Sequence, residues 1–316
     1  MKYKNRVLTL LTLAAGATAS IAALNKIIKV TAASKNTLST PQSLCYKWRL
    51  GNVHYTKSGT GKPLLLIHDL SATSCGYEWN QMTSRLQDEY TVYTIDLLGC
   101  GRSEKYSMTY TNYLYVQLIS DFIKTVIGHR TNIIATGEAA SIPIMACSNN
   151  PDLFDQIMLI SPLSLLEYSQ LPGKTAKIYK FLVDCPVIGT LLYNIATSKK
   201  AIRENLTTNC FYNPYSVKTS YIDACYEAAN LGLSPKSIYS SVASNFTKCN
   251  ITNALKKIDN SLYLVGGACT ENIDKILEEY KDCNPAIETA LIPNTKRLPQ
   301  LEAPNELYEL IHTYLS

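Results

Sequence analysis

Residues 63–70 read PLLLIHDL and residues 91–103 read TVYTIDLLGCGRS, and these two stretches decide the fold. In each, a short apolar run ends abruptly at a polar residue, His68 or Asp96. Runs of this length are typical of strands that are buried on both faces of a sheet. The second run continues into a turn with two glycines, Gly99 and Gly101. The two stretches therefore predict core strands of a mostly parallel sheet.

The same alternation of short apolar runs and longer helical stretches extends from residue 45 to the C-terminus. It predicts an α/β domain whose central sheet is covered by helices on both faces. We expect an opening hairpin at residues 46–50 and 52–57, and further core strands at residues 132–136, 156–161, 261–265 and 287–292. Helices are expected at residues 111–127, 138–148, 271–280 and 305–314.

Residues 163–257 interrupt this alternation with helical segments and tyrosine-rich pieces. We interpret them as a helical cap inserted into a single domain that spans residues 43–316. Most large apolar side chains of the cap are expected in the core, and some should line a cavity beneath it. The set consists of Tyr179, Phe181, Leu182, Leu191, Leu192 and Tyr193.

The positive charge of the chain is concentrated at its N-terminus. The formal net charge is +5, and residues 1–35 contain six basic residues and no acidic one. The remainder carries 24 basic against 25 acidic residues, so it has no excess of cations for phosphates and no nucleic-acid partner is expected. The ten cysteines show no paired metal-ligand spacing, and the sequence predicts neither a metal site nor a cofactor.

Residues 7–24 form an uncharged, largely apolar run of 18 residues between basic flanks. This length is just enough to span a bilayer. Residues 1–35 are therefore predicted to be a membrane anchor that makes the protein membrane-associated. A secretory signal cleaved after Ala19 is the alternative, and it would leave a secreted chain. Three cations lie on each side of the run, so the charges do not predict which side of the membrane the domain occupies.

Three landmarks resemble those of the α/β-hydrolase fold. They are the LLLIHD stretch at residues 64–69, the DLLGCGRS turn at residues 96–103, and the strand-turn-helix pattern around Gly137. The resemblance runs from about residue 46 to the C-terminus and is closest to the esterase, lipase and haloperoxidase-like branch, which has a helical cap between strands six and seven. It implies a carboxylic-ester hydrolase with a triad of nucleophile, acid and histidine.

The nucleophile position of that triad holds no nucleophile. The G-x-S-x-G turn of the family corresponds to residues 135–139, which read ATGEA. The serine position is therefore Gly137, or Ala139 if Gly137 is the first glycine of the motif, and neither residue can attack a carbonyl. Ser141 is the nearest hydroxyl, about one helical turn further on. It is a displaced alternative nucleophile, set against an ordinary role in helix packing.

The acid and base positions are also altered. Cys269 stands where the family has its acid, and a thiol cannot stabilise an imidazolium as a carboxylate does. Arg297 stands at the histidine position, and its guanidinium cannot accept a proton. Three carboxylates are alternative acids, although such groups are more often solvated charges at helix starts, namely Glu167, Glu271 and Asp274.

His68 is the single histidine of the four that is expected near the cleft. In the resembling family this residue supports the oxyanion loop, which here comprises His68, Asp69 and Leu70. Asp69 replaces a glycine of the family, and its carboxylate would repel a developing oxyanion if it faced the site. A thiol–imidazole pair between Cys75 and His68 is a further alternative.

Whether the chain is an enzyme stays open at this stage. The leading hypothesis is a membrane-associated pseudo-hydrolase that binds a ligand or a partner. The alternatives are an active esterase-like or lipase-like hydrolase with relocated groups, and a purely structural interaction protein. Arg297 would favour an amphipathic ligand with a carboxylate, unless Asp69 neutralises it by pairing. A protein partner is the other possibility.

Overall fold

A computed structural model describes the backbone of residues 2–315, with the side chains of residues 2–11, 13, 14 and 17 left out. Within these residues, eight strands form one sheet. They are β1 (Ser43–Trp48), β2 (Gly51–Ser58), β3 (Lys62–Ile67), β4 (Tyr90–Ile95), β5 (Thr131–Thr136), β6 (Phe154–Ile160), β7 (Leu262–Gly267) and β8 (Glu288–Ile292). Every strand predicted from the sequence is present, with its ends shifted by at most three residues.

The strands are ordered β1-β2-β4-β3-β5-β6-β7-β8 across the sheet. The β1–β2 hairpin pairs antiparallel with itself and with β4, and all other neighbouring strands are parallel. The predicted mostly parallel sheet is therefore confirmed. Side chains alternate between its faces, as the two-residue period of a strand requires. Leu64 and Leu66 enter one apolar core, and Leu65 and Ile67 enter the other.

Helices cover both faces of this sheet. The helices outside the 163–257 region are α1 (Lys2–Ala33), α2 (Asn80–Leu86), α3 (Asn112–Phe122), α4 (Ser141–Asn149), α12 (Ile273–Cys283), α13 (Pro299–Glu302) and α14 (Pro304–Leu315). Those between β6 and β7 are α5 (Leu165–Tyr168), α6 (Lys174–Asp184), α7 (Ile188–Ala196), α8 (Lys199–Asn205), α9 (Thr219–Asn230), α10 (Lys236–Ala243) and α11 (Thr252–Leu255).

Two details of the helices differ from the sequence prediction. The helix expected at residues 111–127 ends at Phe122 and continues as one wider π turn, which Gly128 terminates with a φ of +74°. Helix α2 was not expected, because its seven residues are too short for an apolar period to stand out. Helices α2 and α14 cover one face of the sheet, while α3, α4 and α12 cover the other.

The sequence prediction for the apolar residues of α6 and α7 was wrong in one respect. Tyr193 is buried as expected, but the other five members of the set are exposed to solvent: Tyr179, Phe181, Leu182, Leu191 and Leu192. The physical reason is that each helix packs only one narrow side against the protein, through Val183 and Tyr193. None of these five residues lines a cavity found among the described residues.

The N-terminal helix α1 rests on α9. Past the end of α1, the Glu227 carboxylate of α9 accepts hydrogen bonds from the backbone of Thr37 (2.7 Å) and Leu38 (3.3 Å). Among the described residues, no single helix has both the length and the hydropathy to cross a bilayer. Helices α6 and α7 together have the length and composition of a span, but their axes meet at 94°. Eight of the 18 residues of the predicted membrane span, 7–24, have side chains outside the described residues, and the span stays a prediction.

Candidate functional site

The candidate site lies where the carboxyl ends of the central parallel strands meet, the edge at which open α/β sheets bind ligands. The loop after β3 contributes Asp69, and the turn after β5 contributes Gly137 and Glu138. The loop after β8 contributes Arg297. These four residues line one cavity of about 280 Å³, so the topology brings together positions that are far apart in sequence.

Gly137 forms the turn between β5 and α4. Its φ is +54°, a left-handed conformation that favours glycine, and a single 3₁₀ turn (Gly137–Ala140) leads from it into α4. Ala139 lies two residues later, fully buried inside that turn. Of the two positions that the sequence left open for the sharp turn, the structure therefore places the turn at Gly137.

The Asp69 carboxylate lies directly over Gly137. Its Oδ1 accepts one hydrogen bond from the backbone N–H of Leu70 (2.7 Å) and another from the backbone N–H of Glu138 (2.8 Å). A Cβ atom added to Gly137 would lie only 2.3 Å from the same oxygen. Asp69 thus fills the space that any side chain at position 137 would need, and it uses both amide donors.

Glu78 contacts the backbone of Asp69 and helps to hold it in place. The sequence did not indicate this role. It is buried, and its carboxylate accepts hydrogen bonds from Thr136 Oγ1 (2.6 Å), Gln300 Nε2 (2.7 Å) and the backbone N–H of Asp69 (3.2 Å). Burial, and next the negative charge of Asp69, raise the pKa of Glu78 to about 7. The only hint in the sequence that Glu78 is buried was the tryptophan that follows it, Trp79, and this indication is weak.

Glu138 is a second carboxyl that the sequence analysis missed. Its side chain is 9% exposed and accepts a hydrogen bond from the hydroxyl of Thr247 in the cap. Burial raises the pKa of Glu138 to about 7, with the charge of Asp69 adding to the effect. Three carboxyl groups, those of Asp69, Glu78 and Glu138, therefore lie around one small cavity, which makes its electrostatics acidic except at Arg297.

Arg297 faces this group as a partly exposed cation. Its Nη2 lies 4.0 Å from Asp69 Oδ2, the outer limit of an ion pair. The charge of Asp69 raises the pKa of Arg297 against the opposing effect of burial. In the described part of the chain, no hydrogen bond from the guanidinium to another group is found, and Arg297 lines the cavity with Asp69 as its nearest anion.

Comparison with solved structures decides the fold. The epoxide hydrolase CorEH has a TM-score of 0.72 at 17% identity, covering 86% of this chain and 98% of that one. The carboxylesterase CesB of Bacillus subtilis has a TM-score of 0.69 at 14% identity, and the match covers 94% of this chain and 98% of that one. The bromoperoxidase of Bacillus anthracis has a TM-score of 0.67 at 17% identity, and the match covers 86% of this chain and 99% of that one. The chain has the α/β-hydrolase fold. At these identities the likeness shows the fold alone.

Sequence comparisons with curated proteins cover far less of the chain. An uncharacterised protein of Mycobacterium tuberculosis (strain ATCC 25618 / H37Rv) is 28% identical over 104 residues, which is 33% of this chain and 30% of that protein. A soluble epoxide hydrolase of Corynebacterium sp. (strain C12) is 24% identical over 108 residues, 34% and 37% of the two chains. The chain therefore spans about a third of these curated relatives. No family model matches it.

The α/β-hydrolase fold gives the two amides around Asp69 a defined position. In this fold the oxyanion hole consists of the N–H of the residue after the nucleophile and an N–H from the loop after β3. The sequence prediction that puts Gly137 at the nucleophile position makes the N–H groups of Glu138 and Leu70 the corresponding donors. The Asp69 carboxylate accepts hydrogen bonds from both, so it lies between these two N–H groups.

His68 has no ring nitrogen free for proton transfer. Nδ1 donates a hydrogen bond to the backbone carbonyl of Asp69 (2.6 Å), and Nε2 accepts one from the backbone N–H of Leu97 (3.0 Å). Complete burial lowers the pKa of His68, although the charge of Asp96 opposes the effect. The imidazole is therefore a neutral strut between the loops that follow β3 and β4.

Ser141 and Cys75 lie away from the cavity. Ser141 is buried, where its Oγ donates to the carbonyl of Glu138 (3.1 Å) and accepts from Asn112 Nδ2 (2.8 Å). Cys75 packs against Leu38 and α9, and burial raises the pKa of its thiol well above the ordinary value. Neither residue lines the cavity beside Gly137 among the residues described.

Cys269 is exposed after β7, beside a second cavity of about 740 Å³ that shares Arg297 with the first. Of the alternative acids, Glu167 forms a capping box with Ser164 at the start of α5, with Ser164 Oγ 2.8 Å from its carboxylate. Glu271 and Asp274 are exposed near the start of α12. The structure thus brings together Asp69, Gly137 and Arg297, with Cys269 in the adjoining cavity.

Proposed function

We propose that this chain is a catalytically inactive α/β-hydrolase-fold protein, associated with a membrane, whose cleft binds an amphipathic ligand. The observation that carries the proposal is the position of the Asp69 carboxylate, between the N–H groups of Leu70 and Glu138. Ester hydrolysis in this fold needs those donors free for the developing oxyanion. It also needs a nucleophile and a base, and positions 137 and 297 hold glycine and arginine.

Each of these changes alone would slow hydrolysis strongly. The loss of one oxyanion donor costs about 10²–10³ in kcat in a serine hydrolase, and here both donors are engaged. A negative charge at the same place adds repulsion to that loss, since the oxyanion would form beside the carboxylate. The residual groups, Ser141 and His68, are buried and hydrogen-bonded elsewhere. These contacts support an inactive protein over an esterase with relocated groups.

The first expected result is that the purified full chain forms no adduct with a fluorophosphonate and shows no saturable turnover of short activated esters. Intact-protein mass spectrometry after incubation measures the adduct, and a heat-denatured sample gives the background rate. A stoichiometric adduct in the folded sample alone would identify an activated hydroxyl and overturn the proposal. Ser141→Ala would then show whether Ser141 carries the adduct.

The cleft beside Gly137 offers one feature for ligand recognition. Its walls combine Ile202, Leu206 and Leu298 with the partly exposed guanidinium of Arg297. Although three carboxyl groups also line the pocket, its apolar side chains and single cation suit a molecule with an apolar chain and a carboxylate that replaces Asp69 as the partner of Arg297. The long distance of 4.0 Å to Asp69 leaves room for such a carboxylate to compete for Arg297.

The second expected result is that medium-chain carboxylates raise the melting temperature of the full chain in a saturable manner. A ligand at 100 times its Kd stabilises a protein by about 2.7 kcal/mol. Arg297→Ala removes charge-assisted hydrogen bonds of ~1.5–3 kcal/mol each, so we expect at least about a tenfold loss of affinity. Differential scanning fluorimetry with decanoate and with its neutral methyl ester makes the comparison.

Arg203→Ala is the matched control, because Arg203 is an exposed cation of the cap that does not line this cavity. Equal decanoate shifts in wild type, Arg297→Ala and Arg203→Ala would place the binding elsewhere. No shift with either compound would count against a ligand in this cleft and favour a structural interaction protein.

A further inference from the structure

Helices α6 and α7 present an apolar surface to solvent, which we call the cap face. Phe181 is 69% exposed, and Ile178, Ile188 and Ile195 are each 61% exposed. Further members are Leu182, Leu191 and Leu192. Seven large aliphatic or aromatic side chains on two consecutive helices exceed the scattered exposure that is normal on a protein surface. The cap face therefore needs an apolar partner.

The helix α1 extends this apolar surface. Its outward residues Leu24, Ile27 and Val30 are all exposed, and Ile27 is 62% exposed. Asn194 Nδ2 of α7 donates a hydrogen bond to Asn25 Oδ1 of α1 (2.6 Å), which fixes the two helices side by side. Leu24 and Ile195 are the sequence neighbours of this bonded pair. The exposed apolar residues of α1 and α7 thus belong to one region of the molecule.

Lysines lie on the helices of the cap face and next to them. Residues 174–200 contain five lysines and one acidic residue, Asp184. Lys180, Lys199 and Lys200 pair with carboxylates, whereas Lys174 and Lys177 are exposed and have no ion pair among the described residues. Residues 1–35 add six basic residues and no acidic one. The remaining residues, 36–173 and 201–316, carry 19 basic and 24 acidic residues, so the cation excess of the sequence lies in the two segments that contain α1, α6 and α7. An apolar surface with a cationic border matches an anionic lipid surface.

A second protein would suit this surface less well. Protein interfaces are depleted in lysine, whereas here Lys174 and Lys177 alternate with Ile178 and Phe181 along α6. The two helices also meet at 94°, so they do not form one straight span. An α-helix of 11 residues is only about 16 Å long, about half of the hydrocarbon thickness. Such helices lie in the interfacial plane, with the apolar side inserted.

We propose that the cap face docks on an anionic lipid bilayer, with α6 and α7 lying in the headgroup region and their apolar side chains reaching the acyl chains. The proposal rests on the proposed membrane association, and it adds the surface of contact and the lipid charge. The uncharged run at residues 7–24, directly before the part of α1 that rests on the cap, brings the same region of the molecule to the membrane.

Tryptophan quenching by lipid tests this contact in the full chain. Phe181→Trp places an indole on the cap face, and Tyr113→Trp is the matched control on α3, where Tyr113 is 68% exposed. The native Trp48 and Trp79 are buried and give the same background in both variants. Each protein is mixed with vesicles of phosphatidylglycerol and phosphatidylcholine that carry bromine on their acyl chains, and flotation measures vesicle binding.

The expected result is co-flotation of both variants, with bromine quenching at position 181 at least roughly three times that at position 113, since interfacial helices insert about 5–10 Å deep. Flotation with equal quenching at the two positions would overturn the docked cap face and leave the membrane association standing. A chain that does not float would overturn both. Undiminished quenching in vesicles of phosphatidylcholine alone would contradict the requirement for anionic lipid.

Discussion

Gly137→Ala is expected to lower the free energy of unfolding by about 3–5 kcal/mol, because it forces a side chain into the space of the Asp69 carboxylate. The added Cβ would lie 2.3 Å from Asp69 Oδ1 and 2.4 Å from its Cγ. Asp69 can leave only by giving up its hydrogen bonds to Leu70 and Glu138, at ~1.5–3 kcal/mol for a bond to a charged group. The left-handed φ of +54° adds about 1–2 kcal/mol for any residue with a Cβ.

The same substitution in an Asp69→Ala background should cost only the backbone strain of about 1–2 kcal/mol. The difference is a coupling energy between positions 69 and 137, of the size measured for residues in direct contact. Urea denaturation of the wild type, the two single variants and the double variant gives the complete cycle.

Gly128→Ala controls for the strain alone. Gly128 also has a left-handed φ, of +74°, but a Cβ added there meets nothing within 4 Å. If Gly137→Ala costs no more than Gly128→Ala, or costs the same with and without Asp69, the carboxylate does not occupy the space over Gly137. That result would contradict the proposed engagement of both N–H donors by Asp69.

The contact between Asp69 and Gly137 links the two residues on which the proposed loss of hydrolysis rests. A serine at position 137 would bring its Cβ within 2.3 Å of Asp69 Oδ1, so the Asp69 carboxylate would have to move and give up its hydrogen bonds. The sequence showed both substitutions as separate facts. The geometry places the two residues in contact, and under the proposed function one carboxylate both engages the two N–H donors and fills the space of a side chain at position 137.

The sheet was predictable from the sequence because the core strands contain short, mostly apolar runs that end at a turn, as at Ile67 and Ile95. That signal is local, and it does not depend on tertiary contacts. The positions of Gly137 and Arg297 at the carboxyl edge followed from the order of the strands. The residues that contact Gly137 and Arg297, however, depend on the conformation of the loops. Hydrophobic periodicity in a sequence does not predict that conformation.

In the cap, the apolar pattern of the sequence did not predict which side chains are buried. An apolar helix predicts a buried face, and for Val183 and Tyr193 this holds. Phe181 and Leu191 have the same composition signal but point outward, because α6 and α7 have more apolar surface than the domain can cover. A sequence shows that a side chain is apolar but not whether the covering surface belongs to the same chain.

The burial of Glu78 and Glu138 could not be predicted from the sequence either, because a glutamate is normally solvated. The hydrogen-bond partners of Glu78, Thr136 and Gln300, are 58 and 222 residues away in the sequence. These partners come from β5 and α13, so only the folded chain brings them to one carboxylate. The resulting burial has a measurable consequence for stability as a function of pH.

Glu78 is expected to make the fold less stable as the pH rises from about 4.5 to about 7. Its pKa is raised from 4.5 to about 7 in the folded protein, chiefly by burial and next by the charge of Asp69. Below pH 4.5 the group is protonated in both states and contributes nothing to the difference. Above that pH the unfolded chain releases the proton while the folded one keeps it, and the free energy of unfolding falls by up to about 3 kcal/mol.

Glu78→Gln removes this titration, so its free energy of unfolding relative to wild type should rise by about 1.4 kcal/mol per pH unit within that window and become constant above about pH 7. Urea denaturation between pH 4 and 8 measures the difference between the two proteins. Taking the difference cancels His68, whose lowered pKa gives the opposite slope below pH 6.5. It also cancels most of the effect of Glu138, whose pKa is raised to about 7 as well.

Glu271→Gln is the matched control, since Glu271 is an exposed carboxyl beside the second cavity. Its difference from wild type should stay flat across the window. The slope is the informative quantity, because a glutamine at position 78 can also shift the stability by a constant amount when it rearranges the bonds to Thr136 and Gln300. A flat difference for Glu78→Gln would mean that Glu78 is ionised in the folded protein throughout. The neighbouring carboxylate of Asp69 would then need a closer cation than Arg297 at 4.0 Å.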